Sequence, residues 1–338
     1  MDKKYLISIC IPSYNRPEEL GRLLNSIDTN RIDQVQVVIC EDKAPKRMEV
    51  RNVVNTFTNE SEYVVKYIEN VKNLGHGGNL RECVHQADGE YVMYMGDDDM
   101  FIPDAFDILF DFLKDHKYLG YVLRSYATID NKNSIQYFRY YNSDKFFEPG
   151  ITSYVEFFGK SVSMSGFTIK QEYVKNYNID IFDDTFLYQL YLVAEVCLNY
   201  PSAYFNTPFT YVISDGGAFF GSSEKEKGKY KVGTKVSDNI NFILGRYRIT
   251  EFIDKKYRIN STKLIKEDTS KYCFYILAES RKYGKSYFRK QRELFLEADL
   301  NSTIYFEIYY YGLLLFGSNI CISIIKLIKK VVGRRLNL

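Results

Sequence analysis

Three consecutive aspartates, Asp97, Asp98 and Asp99, end an apolar run that reads as a strand over residues 89–96. Like charges this close raise one another's proton affinity, so the run is costly unless a cation shares it. A hard divalent metal, Mg²⁺ or Mn²⁺, itself coordinated by a substrate phosphate, is the usual partner of such a set. At the carboxyl end of a parallel strand the three would sit where open α/β sheets bind ligands. A helix cap ahead of Pro103 would use one of them and leave two unexplained. A second apolar run, residues 35–40, stops at Glu41 and Asp42. A third acidic group, the pair Asp183 and Asp184, precedes a stretch with helical spacing, where capping alone would also explain it. Between them lies a polar, glycine-rich stretch, residues 70–79, that holds Asn73, Gly75 and Asn79 and whose backbone amides could approach a ligand closely. It matches neither GxxxxGK[ST] nor a GxGxxG after the first strand, so ATPase and dinucleotide readings lose their main support.

The elements that must position these residues are legible up to about residue 126. Residues 5–11 (YLISICI) are a continuous apolar run, as in a strand buried on both faces, and the turn 12–17 follows. Pro17 suits a first helical turn, and Leu20, Leu23, Leu24 and Ile27 share one helical face. Strand 35–40, a helix with Val50, Val53, Val54 and Phe57 on one side, and strand 63–68 complete β-α-β-α-β. That alternation predicts a parallel, doubly wound sheet. A helix carrying Leu80, Cys83, Val84 and Ala87 then leads to the aspartate strand, and a helix over 103–116 and a strand over 121–126 follow. Residues 130–160 carry few periodic signals. Residues 163–169 read as a strand with Gly166 near its middle, and Leu187, Leu190, Tyr191, Ala194 and Leu198 as an amphipathic helix. Strands 203–206 and 209–213 run into a glycine-rich loop, 214–223, suited to closing over a substrate. Beyond residue 235 helices are expected over 236–255, 261–284 and 286–300.

The 338 residues suffice for two domains, and a net charge of +2 suggests no nucleic-acid partner. Cys10, Cys40, Cys83, Cys197, Cys273 and Cys321 form no CxxC pair and read as reduced core residues. The N-terminal MDKKYLISIC enters a strand without an apolar leader, so the catalytic part is expected in the cytoplasm. Residues 304–325 are apolar and aromatic with a single acid, Glu307, and Lys326, Lys329, Lys330, Arg334 and Arg335 follow. This combination suits peripheral contact with an anionic membrane. It equally suits a helix packed on the protein's own core or against a second copy in a homo-oligomer.

In this order the motifs resemble those of the inverting glycosyltransferases of family 2, over roughly residues 5–215. Residues 8–16 (SICIPSYNR) look like the family's P-[ST]-Y-N-R turn, which places Pro12, Tyr14, Asn15 and Arg16 at the nucleotide. Residues 38–42 are similar to its V-[VI]-x-D-D strand; Asp42 would accept from the base, beside Glu41, which stands where the family has Asp. Residues 70–79 look like its N-x-G loop, with Asn73, Gly75 and Asn79. The run Asp97 to Asp99 stands for its D-x-D, with Asp97 and Asp98 toward the nucleotide and all three toward the metal. Gly96 replaces the first Asp of the frequent D-S-D-D. Residues 183–187 (DDTFL) resemble its E-D-x-x-L, whose second acid, Asp184, would be the catalytic base with Asp183 beside it. The resemblance implies a GT-A fold, an α/β architecture with a mostly parallel sheet flanked by helices, in residues 1–215. A helical region, 216–338, would follow. It also implies transfer from a nucleoside diphosphate sugar to a glycan or lipid-linked acceptor, with a divalent metal, as in bacterial surface polysaccharide assembly. An Asp184 partly withdrawn from water would be the better base. A nucleotidyltransferase would want a glycine-rich, basic loop after the first strand, which residues 12–17 are not. A non-catalytic sugar-binding protein on the same fold is the alternative from outside the enzymes.

Overall fold

The computed structural model describes residues 4–129, 134–213, 223–226 and 236–331. The chain forms two compact units, Met1–Val232 and Gly233–Leu338. In the first, β1 (Tyr5–Ser13), α1 (Pro17–Asn25), β2 (Val35–Glu41), α2 (Arg47–Glu60), β3 (Val64–Glu69), α3 (Gly75–Gln86) and β4 (Gly89–Tyr94) follow the expected alternation. Next come β5 (Met100–Phe101), α4 (Ala105–Asp115), β6 (Tyr121–Ile129), β7 (Ile135–Phe138), β8 (Lys145–Phe147), α5 (Ile151–Phe158), β9 (Thr168–Lys170), α6 (Gln171–Asn176), α7 (Tyr188–Asn199) and β10 (Ser202–Ile213). All ten strands join one sheet, ordered β3-β2-β1-β4-β9-β6-β10-β5, with β7 on β6 and β8 on β10. The first four strands are parallel. Beyond β4 the sheet is mixed, because β9 runs antiparallel to both β4 and β6.

The apolar runs explain these elements. Strands β1 and β2 are buried along almost their whole length, whereas β3, at the sheet edge, is only half-buried. Ile7, Ile9, Ile11, Val37 and Ile39 pack against Leu20, Leu23 and Leu24 of α1, Val50, Val54 and Phe57 of α2, and Phe106, Phe110 and Leu113 of α4. Each such side chain contributes roughly 2 kcal/mol when fully buried. Cys10, which donates to the Cys83 carbonyl at 3.5 Å, ties β1 to α3. The six thiols are free and buried, as expected.

Several expectations are corrected. The helix expected from Pro103 starts at Ala105, since Asp104 takes a left-handed φ of 61°. Only Thr168 and Ile169 of the expected strand 163–169 fall in β9, which runs on to Lys170, because the chain turns at Gly166 (φ 84°) and Ser165 faces Asp99 instead. Residues 130–160, unplaced by periodicity, supply β7, β8 and α5. Helix α7 is buried on all sides from Tyr188 to Cys197 rather than amphipathic. The two strands expected over 203–213 are one, β10, whose pairing with β6 shifts register around Pro208. Of the expected closing loop, residues 214–222 lie outside the described residues.

The second unit is helical: α8 (Val236–Tyr257), α9 (Ser261–Lys271), α10 (Phe274–Lys282), α11 (Lys285–Lys290), α12 (Arg292–Glu297) and α13 (Ile304–Val331). The two long helices expected over 261–300 are thus four short ones. Asp254 of α8 caps α9, accepting from the Ser261 amide at 2.7 Å and the Thr262 amide at 2.9 Å. Helix α13 is interrupted at Gly317, whose φ of 79° and ψ of 170° are not helical. Its first part buries Phe306, Tyr310 and Leu313 and exposes Ile304, Ile308, Tyr311 and Leu315; further along, Ile320, Ile324 and Leu327 are exposed. Residues Ile304–Ile328 are long and apolar enough to cross a membrane by length and composition alone.

Candidate active site

The carboxyl ends of β1, β2 and β4 open onto a cleft of about 410 Å³. Pro12, Tyr14 and Arg16 after β1, Asp42 after β2, Asn79 of α3, and Asp97, Asp98 and Asp99 after β4 all line it. Residues far apart in sequence meet there because parallel strands end on the same side. Glu41 and Asn15 do not line it. Glu41 is fully buried and spent on Arg47 and on the Ala44 amide. Asn15, at a left-handed φ of 62°, accepts from the Lys46 amide at 3.2 Å. Gly75 opens α3 beside the cleft, and Asn73 lines a separate cleft of about 620 Å³.

Asp42 organises the glycine loop. Its Oδ1 accepts from Asn70 Nδ2 at 3.0 Å and the Leu74 amide at 2.7 Å. Its Oδ2 accepts from Asn73 Nδ2 at 3.0 Å and the Gly75 amide at 2.8 Å. Burial pushes this carboxyl up to about 6, although the donors favour its charged form. Asn79 ties the loop to β2 by donating to the Cys40 carbonyl at 2.9 Å.

The three aspartates are held differently. Arg16 bridges two of them, at 3.1 Å from Asp97 Oδ1 and 2.6 Å from Asp98 Oδ2, and the Tyr14 amide donates to Asp97 Oδ2 at 3.3 Å. Asp99 accepts from the Ser165 hydroxyl and, at 3.1 Å, from the Ile213 amide. Burial, opposed by Arg16 and reinforced by Asp98, pushes Asp97 up to about 7. Burial and then Asp98 push Asp99 up to about 6. Among the described residues no three potential ligand side chains converge on one point. A cation shared with a diphosphate needs only one or two carboxylates. Asp98, whose side chain is 40% exposed, and Asp99 beside it fit that requirement.

Asp183 and Asp184 lie on a 3₁₀ turn, Asp183–Thr185, one step before α7. Neither caps that helix by side chain, since its N-cap position, Leu187, follows Phe186 in a left-handed φ of 57°. Asp183 instead forms a two-pronged pair with Arg81 of α3, at 3.0 and 2.7 Å. Gly77 permits this approach, since a Cβ there would lie 2.7 Å from Asp183 Cα. Neither acid lines the 410 Å³ cleft; Asp183 lines the 620 Å³ one. Asp184 is exposed, which corrects the expectation that it is withdrawn from water. The turn nonetheless reaches the first cleft's edge, because the Phe186 ring lies 6.2 Å from that of His76, which lines it.

Sequence reasoning missed His76, Ser165, Gln189 and Glu226, all of which line the cleft. His76 stood in the glycine loop as a detectable signal. Burial holds its imidazole below the ordinary value, against the charges of Glu226, Asp183 and Asp98. Glu226 lies in a Lys/Glu run that looks like any solvated surface, and nothing local distinguished it.

The family model described as glycosyl transferase family 2 matches residues 8–177, half of the chain. The abequosyltransferase RfbV of Salmonella typhimurium is 33% identical over 108 residues, 32% of this chain and 32% of that protein. The GalNAc(5)-diNAcBac-PP-undecaprenol beta-1,3-glucosyltransferase of Campylobacter jejuni is 22% identical over 103 residues, 30% of this chain and 33% of that protein. The matched stretch therefore spans about a third of these relatives' length. Among solved structures, S. aureus TarS 1-349 in complex with UDP-GlcNAc matches with a TM-score of 0.54 at 14% identity, over 90% of this chain and 92% of that one. That likeness is one of fold.

Proposed function

The chain belongs to glycosyl transferase family 2, and from that premise we propose that it moves a glycosyl group from a nucleoside diphosphate sugar to a hydroxyl of a glycan or lipid-linked acceptor, with inversion. The observation that carries this is the cleft at the carboxyl ends of β1, β2 and β4, where Arg16 and three aspartates meet. The UDP-GlcNAc bound by TarS supports a sugar-nucleotide donor, and the name of the Campylobacter jejuni relative, with its undecaprenol-linked glycan, supports a lipid-linked acceptor. We assign the chemistry to residues 1–215. Pro12, Tyr14 and Asn79 surround the nucleoside, and Arg16 holds Asp97 and Asp98 in place. Asp98 and Asp99 would hold a Mg²⁺ or Mn²⁺, which would neutralise charge on the departing diphosphate. Asp184 takes the proton of the acceptor hydroxyl as its oxygen bonds to the anomeric carbon. The bond from that carbon to the diphosphate breaks on the opposite face, so a single displacement inverts the centre.

Calorimetry with nucleoside diphosphates tests the donor and the metal together. Binding is expected with Mn²⁺ and to weaken about tenfold or more with excess chelator, since one cation serves both protein and phosphate. Equal binding in the two conditions would remove the metal role, and no binding in either would remove the donor.

The exposed apolar face of α13 and the exposed Lys326 support peripheral attachment to an anionic membrane, where a lipid-linked acceptor would be presented. Side chains from Lys329 onward lie outside the described residues. Ile308→Glu together with Leu315→Glu changes only exposed positions, 59% and 68% exposed, and so should spare the fold. Wild type is expected to float with anionic liposomes in a salt-sensitive way and the double variant to remain below. Equal flotation of the two proteins, or none, would assign that face to another partner.

A further inference from the structure

Gly96 opens the aspartate run, and the space beside it is filled from elsewhere in the chain. A Cβ on Gly96 would lie 2.9 Å from Asp98 Oδ1, 3.1 Å from Ser165 Oγ and 3.6 Å from Asp99 Oδ2. Ser165 reaches this point from the segment ahead of β9. Its hydroxyl donates to Asp99 Oδ2 and accepts from the Gly96 amide at 3.1 Å. At the other oxygen, Ile213, the last residue of β10, donates its amide to Asp99 Oδ1 at 3.1 Å. Each oxygen of Asp99 thus takes one hydrogen bond and keeps a lone-pair site for a ligand.

Backbone geometry puts Ser165 there. It is 2% exposed, yet it lines the 410 Å³ cleft. Gly166 follows at a left-handed φ of 84°, and a Cβ on it would meet Thr210 Cγ2 at 2.6 Å and Arg124 Nε at 3.0 Å, so a larger residue would disturb the turn. The Gly166 amide donates to the Tyr94 carbonyl at 2.6 Å and the Tyr94 amide to the Phe167 carbonyl at 3.2 Å, which clamps the turn to the end of β4. The two ends of the aspartate run are therefore held by different chemistry. Asp97 and Asp98 share the Arg16 cation, with which a metal must compete. Among the described residues Asp99 is hydrogen-bonded by neutral donors, which orient it and leave its charge for a cation.

We infer that Ser165 is a positioning residue for metal capture, holding Asp99 in the orientation in which it takes the Mg²⁺ or Mn²⁺ shared with the donor's diphosphate. This deepens the metal reading and rests on it. A carboxylate free to rotate must be ordered when the ion arrives, and one fixed beforehand is spared that cost. Hydrogen-bond partners of metal ligands act in this way, and losing one commonly lowers metal affinity by roughly 10–100-fold.

The test is calorimetry of the full chain with UDP and with GDP, each in Mn²⁺ and in excess chelator. The quantity read is the ratio of the two affinities, which isolates the part of binding that passes through the ion. Ser165→Ala is expected to lower that ratio about tenfold or more, while affinity in chelator changes by less than about twofold. The substitution removes a hydroxyl and nothing else, so the fold should persist, with a modest fall in melting midpoint from the loss of two hydrogen bonds. Gly96→Ala reaches the same contact from the other side: it keeps the hydroxyl, crowds it off Asp99, and should lower the ratio likewise. A ratio unchanged in either variant would overturn the inference, as would equal weakening in Mn²⁺ and in chelator, which is what a merely structural role entails. If wild type binds equally well in both conditions, the metal reading itself falls. If wild type binds neither diphosphate, the donor reading falls with it.

Discussion

Asp184→Asn is expected to lower kcat by about a hundredfold or more, the usual scale for removing a general base. Donor binding should stay within about twofold, since this carboxylate acts on the acceptor and not on the nucleotide. Asp183 supplies the contrast. That neighbour is engaged in a two-pronged pair with Arg81, with side chains 12% and 25% exposed, so both its oxygens are already committed to the guanidinium. Asp183→Asn should therefore cost stability, about 1–2 kcal/mol for a partly exposed pair, with kcat falling far less than in Asp184→Asn. Single-turnover rates and urea midpoints on both variants separate the two effects. Should Asp184→Asn keep more than about a tenth of wild-type kcat, less loss than a general base entails, the role passes to Asp183 or to Asp215, which lies outside the described residues.

What the sequence made legible follows from the range of the interactions involved. Strands β1, β2 and β4 and helices α1 and α2 were readable because local periodicity and burial coincide there. The same parallel strands carry Tyr14, Arg16, Asp42 and Asp97 to Asp99 to one edge, so these residues could be grouped from the alternation of elements alone. Helix α7 was misread as amphipathic because its outer face is covered by elements such as α5, whose own sequence gave no periodic signal. Glu41 illustrates a further limit. Its motif position suggested a ligand, and only the folded chain shows Arg47, six residues on, turning back to neutralise it. Glu226 is the complementary case, since its partner His76 lies 150 residues away and no spacing rule spans that distance.

Arg16→Met is expected to destabilise the protein by about 3 kcal/mol, because it strands the buried Asp97 and the half-exposed Asp98 without their shared cation. The cost arises from the uncompensated negative charge that remains in the cleft, more than from the attraction that is removed. The double variant Arg16→Met/Asp97→Asn should therefore recover most of it, as replacing both members of a buried pair usually does. Urea midpoints of wild type, the single variants and the double variant close the cycle. The same variant tests how far Arg16 stands in for a metal. With the guanidinium in place, a free divalent ion must compete with it for Asp97 and Asp98, so Mn²⁺ without nucleotide should raise the wild-type midpoint little. Once Arg16 is gone the two carboxylates become available, and Mn²⁺ should stabilise Arg16→Met clearly, since any ligand of the native state does so by mass action. If Arg16→Met proves as stable as wild type, the bridge is a surface ornament to a cleft held by other means. If Mn²⁺ shifts both proteins equally, the ion binds away from Asp97 and Asp98, and Asp99 with the diphosphate must hold it without them.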